Sequence, residues 1–400
     1  MEDLGKPRRS LDYLPEAMVE EMLGKHSGVV QQVSSLLQDA VKYRRDVRRH
    51  LEDLGLLTNV MNLLSQKTYP TTAGVDGSYG TIRQLALDLV SIAAVAVEGL
   101  VPPKETRKLQ KPDHIVDIFP VAHHPWTSRL CSSLMFSYEL ELANRMPHRV
   151  VFLDGSLTTP LIQLGQGLSA IDQAVKKTGQ SIPTSLSNRL LGRIRTCLED
   201  YQRVLTSPRT DQIFVGVPKY SSRIEVISKL RERGFTFPAF SVLNDRALLT
   251  AVLEPGEVIL PLEISPTEEE KKRWHLSGVE AHPDLEGIAK DVKESVGNLY
   301  VMYFRPSAAH PVLRLEVSPS VARNRHRLSI LLEALLDQTR IPGIMEPYPL
   351  YVADLFVKHA YGALVELREA SLSDVDRVVG GEFSHAYLSL HSYRTEGGYE

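Results

Sequence analysis

The sequence predicts an α/β fold, a mixed sheet flanked by helices, with a helical arm before it and insertions within it. Three observations predict it. Two apolar runs each meet an Asp-Gly-Ser triplet, at Val75-Asp76-Gly77-Ser78 and at Val150-Val151-Phe152-Leu153-Asp154-Gly155-Ser156. The middle of the chain reads in the order strand, strand, strand, helix, strand. Residues 14 to 65, in contrast, place Leu14, Met18, Met22, Val30, Val33, Leu37 and Val41 close to helical spacing.

Composition sets the frame. A chain of 400 residues, 43% hydrophobic and 24% charged, has the make-up of a globular protein of one large or two ordinary domains. The formal net charge of −3 gives no global basic field for nucleic acid, so a polyanion would be held by local patches. Two distant cysteines, Cys131 and Cys197, form neither a disulfide framework nor a zinc signature. The acidic N-terminus lacks an apolar core, and the run from Leu89 to Val97 is about half a membrane span. A cytoplasmic protein is expected, with no membrane partner.

Taken in order, residues 1–68 form the helical arm, a candidate dimer or partner contact. It carries a basic run, Lys42 to His50, that reads as a solvated face or a phosphate-contacting patch. Pro70 marks a boundary. Leu85 to Val97 and His114 to Val121 follow the first Asp-Gly-Ser as strands, which suggests an antiparallel meander. His123-His124 could look like a metal pair, but adjacent histidines point apart on most backbones and Pro125 stiffens the next turn, so it reads as a loop or helix start. Thr127 to Met146 is a helix striped by Leu130, Leu134, Tyr138 and Leu142, and it bears Glu139 and Glu141. The strand Val150 to Leu153 ends at Asp154. Residues 161–204 are helical with a break near 179–183. Ile213 to Val217 is a strand, and Ile224 to Arg233 a helix. Val258 to Ile264 is a strand, and the polar stretch 265–296 reads as an insertion or surface loop. Leu299 to Phe304 and Val312 to Val317 are strands, Val321 to Thr339 a helix, and a last helix runs from about Glu346 to Ala370. The main domain is thus 69–370, with a tail over 371–400.

The two aspartates carry the chemical expectation. A strand ending in Asp-Gly-Ser exposes its carboxylate at the sheet edge, and two such strands can set two carboxylates side by side. Carboxylates gathered in one place repel unless a cation compensates, and oxygen-only ligands suit Mg²⁺ or Mn²⁺. Such ions stabilise both the attacking and leaving oxygens of a phosphodiester. Acids on the first strand, the helix and the fourth strand match the arrangement of the ribonuclease-H-like fold. Two other readings stand beside a nuclease: an actin-like ATPase, which also sets Asp-Gly-Ser turns at phosphates, and a non-catalytic clamp that holds DNA for a motor.

Five blocks carry a more specific likeness: Val75-Asp76-Gly77-Ser78, Leu153-Asp154-Gly155-Ser156-Leu157, Val215-Gly216-Val217-Pro218-Lys219-Tyr220-Ser221, Leu313-Arg314-Leu315-Glu316, and Pro347-Tyr348-Pro349-Leu350 with Ala353-Asp354. With these, the chain resembles the NurA family of nucleases over roughly residues 70 to 370. The resemblance implies a ribonuclease-H-like core and a Mn²⁺-dependent DNA nuclease acting as a homodimer. It also implies a hexameric ATPase partner of the HerA type and a role in DNA-end resection before recombinational repair, at the nucleoid. Carried over, Asp76 and Asp154 are metal ligands, the helix acid is Glu139 in preference to Glu141, and Asp354 is the fourth ligand. The family often has His where this chain has Asp354, and an aromatic residue where it has Glu346. His359 is the alternative last ligand, although it lies about 140° round a helix from Asp354. Lys219 is a surface lysine or contacts the scissile or flanking phosphate as a point charge. Arg314 shares a strand face with Glu316, as a salt bridge or a substrate contact. Tyr348 and Tyr351 are packing residues or stack on an unpaired base.

Overall fold

The computed structural model describes residues 14–379, apart from 66, 85–86, 104, 177–182 and 280–282. Its strands are β1 (Leu57–Asn59), β2 (Thr72–Arg83), β3 (Asp88–Glu98), β4 (Asp113–Val121), β5 (Val150–Asp154), β6 (Ile213–Val217), β7 (Glu257–Glu263), β8 (Tyr300–Phe304) and β9 (Leu313–Val317). They form one mixed sheet in the order β1-β7-β8-β9-β6-β5-β2-β3-β4. β2, β5 and β6 run parallel at its centre, and every other pairing is antiparallel. The α/β class and the β2-β3-β4 meander are as the sequence predicts.

The helices are α1 (Glu16–Lys42), α2 (Arg44–Asp53), α3 (Thr127–Arg145), α4 (Thr159–Lys176), α5 (Thr184–Thr206), α6 (Glu225–Glu232) and α7 (Asp245–Val252). After them come α8 (Glu268–Lys272), α9 (Pro283–Gly297), α10 (Pro319–Ala322), α11 (Arg325–Gln338) and α12 (Tyr348–Val379). Strand alternation sorts the side chains onto two apolar layers. Val151 and Leu153 of β5 join one layer with Leu130, Leu134 and Tyr138 of α3 and with the apolar residues of α5. Val150 and Phe152 join the other, with Leu331 and Leu335 of α11 and Leu350 of α12. The α3 stripe faces the core because Leu130, Leu134, Tyr138 and Leu142 recur every fourth residue, and all four are buried.

Several expectations change. The first Asp-Gly-Ser is not a turn: β2 runs straight through Asp76, Gly77 and Ser78 and pairs with β3 from Ala73 to Arg83. What ends near Asp76 is the other neighbour, since β5 pairs with β2 only from Thr72↔Val150 to Val75↔Leu153. The polar stretch 265–296 is not a loop. It holds α8 and α9, and Leu285, Ala289, Val292 and Val296 bury one stripe of α9 in the core, with Trp274 and Leu276. The helical reading of 14–65 misses β1, which extends the sheet edge beside β7. The last helix continues beyond Ala370 to Val379. The helix break expected near 179–183 falls largely outside the described residues.

Candidate metal centre

Asp76 and Asp154 each stand one residue beyond the last β2–β5 pair, so the parallel register sets them side by side. Asp76 shares its strand face with Gly74, and a methyl group on Gly74 would lie 2.5 Å from the Pro349 carbonyl carbon. β2 therefore touches the first turn of α12, and this close approach brings Asp354 to the same place. Carboxylate oxygens of Asp76, Asp154 and Asp354 lie within 4.8 Å of one another. The second Asp-Gly-Ser is a true turn. Gly155 has φ +85, a conformation that costs little without a Cβ. Ser156 Oγ donates to Glu316 Oε2 at 2.7 Å, and the Leu157 amide donates to the same oxygen at 2.9 Å.

Glu139 approaches from the opposite face of the sheet, but it is not among the carboxylates whose oxygens lie within 4.8 Å of one another. It stands on α3, and its Oε1 would be 2.5 Å from a Cβ on Gly77. Only a glycine at 77 leaves room for this carboxylate beside the part of β2 that β5 leaves uncovered. Glu141, two residues on, points elsewhere and pairs with Arg145 and Arg193.

The electrostatics follow from crowding. Burial, then the neighbouring Asp154 and Asp354, push Asp76 up to about 8, against the pull of Lys219. Burial raises Glu139 well above the carboxylate range, and Asp76 and Asp154 add to it. Lys219, just past β6, puts Nζ 3.2 Å from Asp154 Oδ2, 3.3 Å from Glu346 Oε2 and 3.5 Å from Asp354 Oδ1. Burial disfavours its charge, but Asp154, Glu346, Asp354 and Asp76 outweigh this and raise its pKa. Burial also raises Glu346, against the pull of Lys219, and its buried Oε2 accepts no hydrogen bond from any other group. An all-oxygen donor set, carrying more acid than one lysine can balance, fits a hard divalent cation.

Residues 70–358 match the NurA domain family. The chain belongs to the NurA family. Its fold is similar to the crystal structure of the NurA nuclease from Sulfolobus solfataricus, at 13% identity over 90% of this chain and 98% of that chain, with a TM-score of 0.57. A crystal structure of NurA bound to dAMP and manganese matches at 11% identity over 83% of this chain and 93% of that chain, with a TM-score of 0.46. Endonuclease V from Bacillus subtilis matches at 14% identity over 77% of this chain and 90% of that chain, with a TM-score of 0.32. No curated protein matches the sequence.

Within this NurA fold, the other expected site residues divide. His359 does not join the carboxylates: it is exposed, and its Nδ1 lies 2.6 Å from the Leu355 carbonyl of its own helix. Arg314 is not placed to meet a substrate. It is 1% exposed and is bound by Glu225, Glu316 and Tyr303. Tyr348 is half-buried, whereas Tyr351 is exposed one helical turn before Asp354. Glu346 is the acid that sequence reasoning passed over as a site residue. Its signal was present, as an acid standing where the family has an aromatic side chain.

Proposed function

We propose that this NurA-family chain is a metal-dependent DNA nuclease that hydrolyses phosphodiester bonds at DNA ends. The observation that carries the reading is the convergence of Asp76, Asp154 and Asp354, from two strands and a helix, within 4.8 Å. These three would hold Mn²⁺ or Mg²⁺, with Glu139 as a fourth acid; NurA has been crystallised with manganese. Bound there, the ion would supply Lewis-acid stabilisation of charge on phosphodiester oxygens. The chain's own residues do the rest. Asp76 and Asp154 are fixed by strand register, Asp354 by the close contact of β2 with α12, and Glu139 by the space above Gly77. Lys219 contributes a point charge near the phosphate path. Tyr351, exposed on the turn before Asp354, offers a face on which an unpaired base can stack.

The partner reading has its own support. On α1, Met18, Met22, Val30, Val33, Leu37 and Val41 are all exposed, and only Ala40 is buried. A helix with so much uncovered apolar surface suits a protein contact. We assign the arm to a homodimer or to a HerA-type hexameric ATPase that feeds DNA during end resection. Among the described residues, no helix is long and apolar enough to cross a membrane, and we place the protein at the cytoplasmic nucleoid.

The test is cleavage of an end-labelled duplex in Mn²⁺, by the parent chain and by Asp76→Asn. Cutting by the parent alone supports the reading. Undiminished cutting by the variant overturns it. Tight DNA binding with no cleavage in any divalent ion would instead mark a clamp.

A further inference from the structure

We propose that Lys219 is a tethered stand-in cation, which holds Asp154, Asp354 and Glu346 together in the ion-free protein and competes with the divalent ion for them. The inference rests on reading the carboxylate cluster as a metal centre. Four acids, Asp76, Asp154, Asp354 and Glu346, act on this one ammonium. Its Nζ stands within 3.2–3.5 Å of three of them. Two of those three, Asp154 and Asp354, are also the residues whose carboxylates converge with Asp76. An ammonium and a divalent ion cannot sit together against these two carboxylates without strong repulsion.

The root of the lysine is fixed while its head is free to leave. The Lys219 carbonyl accepts a hydrogen bond from Arg246 Nη1, and Arg246 Nε donates to the Val312 carbonyl at 2.9 Å. Farther along the loop, the Asp245 amide donates to the Arg223 carbonyl at 3.0 Å. The backbone after β6 is thereby tied to α7 and to the start of β9. Only the flexible four-carbon stem can swing and carry the charge out of the site. Glu346 keeps the head in place from the other side. Its buried Oε2 faces the ammonium and accepts no hydrogen bond from any other group. The device keeps the acids from driving the site apart when no ion is present, and it lowers the apparent affinity for the ion.

The experiment measures Mn²⁺ binding to the full chain from the electron paramagnetic resonance signal of free Mn²⁺, with thermal melting in chelator alongside. Lys219→Met is expected to bind Mn²⁺ about tenfold more tightly than the parent. It should melt lower in chelator and recover in saturating Mn²⁺. Lys219→Arg, which keeps the charge, should stay close to the parent in both measurements. Lys219→Gln gives the same comparison should the methionine variant not fold. Equal or weaker binding by the uncharged variants, beside a parent that binds, overturns this proposal alone. A parent that binds no Mn²⁺ removes the metal-centre reading and this proposal with it.

Discussion

Glu316 Oε2 accepts a hydrogen bond from Ser156 Oγ at 2.7 Å, tying β9 to the turn that presents Asp154. The other oxygen of the same carboxylate accepts two bonds of 3.1 Å from Arg314. Both residues are almost wholly buried. Glu316 thus joins the site to an ion network behind it, which continues through Arg314 to Glu225 and Tyr303.

Removing Glu316 should cost both stability and placement. Glu316→Ala leaves Arg314 buried with one carboxylate partner fewer, and loss of one member of a buried pair costs about 3–5 kcal/mol. Urea unfolding in chelator checks this. A loss below about 1 kcal/mol, the range of exposed pairs, would show that the network is not holding the turn.

Two glycines should respond differently to alanine. At Gly77 the added methyl meets the flexible Glu139 and Met135 side chains, at 2.5 and 2.8 Å. At Gly74 it meets the backbone of Pro349 and Leu350, at 2.5 and 2.6 Å, which cannot yield without moving α12. Gly77→Ala should therefore fold and lose roughly 100-fold in cleavage rate, through misplacement of Glu139. Gly74→Ala should be destabilised by several kcal/mol, about 3 or more. Thermal melting and a cleavage assay on each variant separate the two outcomes.

Asp76 gives the ion-free protein a predictable pH response. Its folded pKa, about 8, lies above the ordinary aspartate value, so the folded state holds a proton that the unfolded state releases. Its contribution to stability is full below about pH 4 and is lost as pH rises through about 8. In chelator, the denaturation midpoint should fall between pH 6 and pH 8.5. Asp76→Asn should flatten that part of the profile, and an unchanged slope would mean that another group is responsible.

The last-ligand alternatives can be separated by mutation. Asp354→Asn should abolish cleavage and weaken Mn²⁺ binding. His359→Ala should keep cleavage within about twofold of the parent, because its ring nitrogen is engaged with its own helix. The reverse pattern would move the centre toward His359.

Much of this site was legible because local signals coincide with it. Asp76 and Asp154 each close an apolar run, and parallel pairing of those runs sets them together. Glu139 was preferred to Glu141 on family likeness, and the physical ground, the bare backbone at Gly77, appears only in three dimensions. Asp354 came from likeness alone, since nothing within one amphipathic helix marks it. Arg314 and Glu316 were correctly put on one strand face, but period-two alternation says nothing about burial. That depends on α6, which brings Glu225 over them. Glu346 stood out as an acid at an unusual position, but its role could not be read, because that role lies in a lysine from a distant loop. In α9 the four core residues are diluted by Glu, Asp and Lys between them, so composition suggested a loop where spacing held a helix.

The contact between β2 and the first turn of α12 joins an early strand to a late helix. A ribosome must therefore make all of the chain between them before Asp354 can reach Asp76. On the nuclease reading, a chain interrupted before that helix carries no cutting centre, and the order of synthesis itself acts as a safety catch.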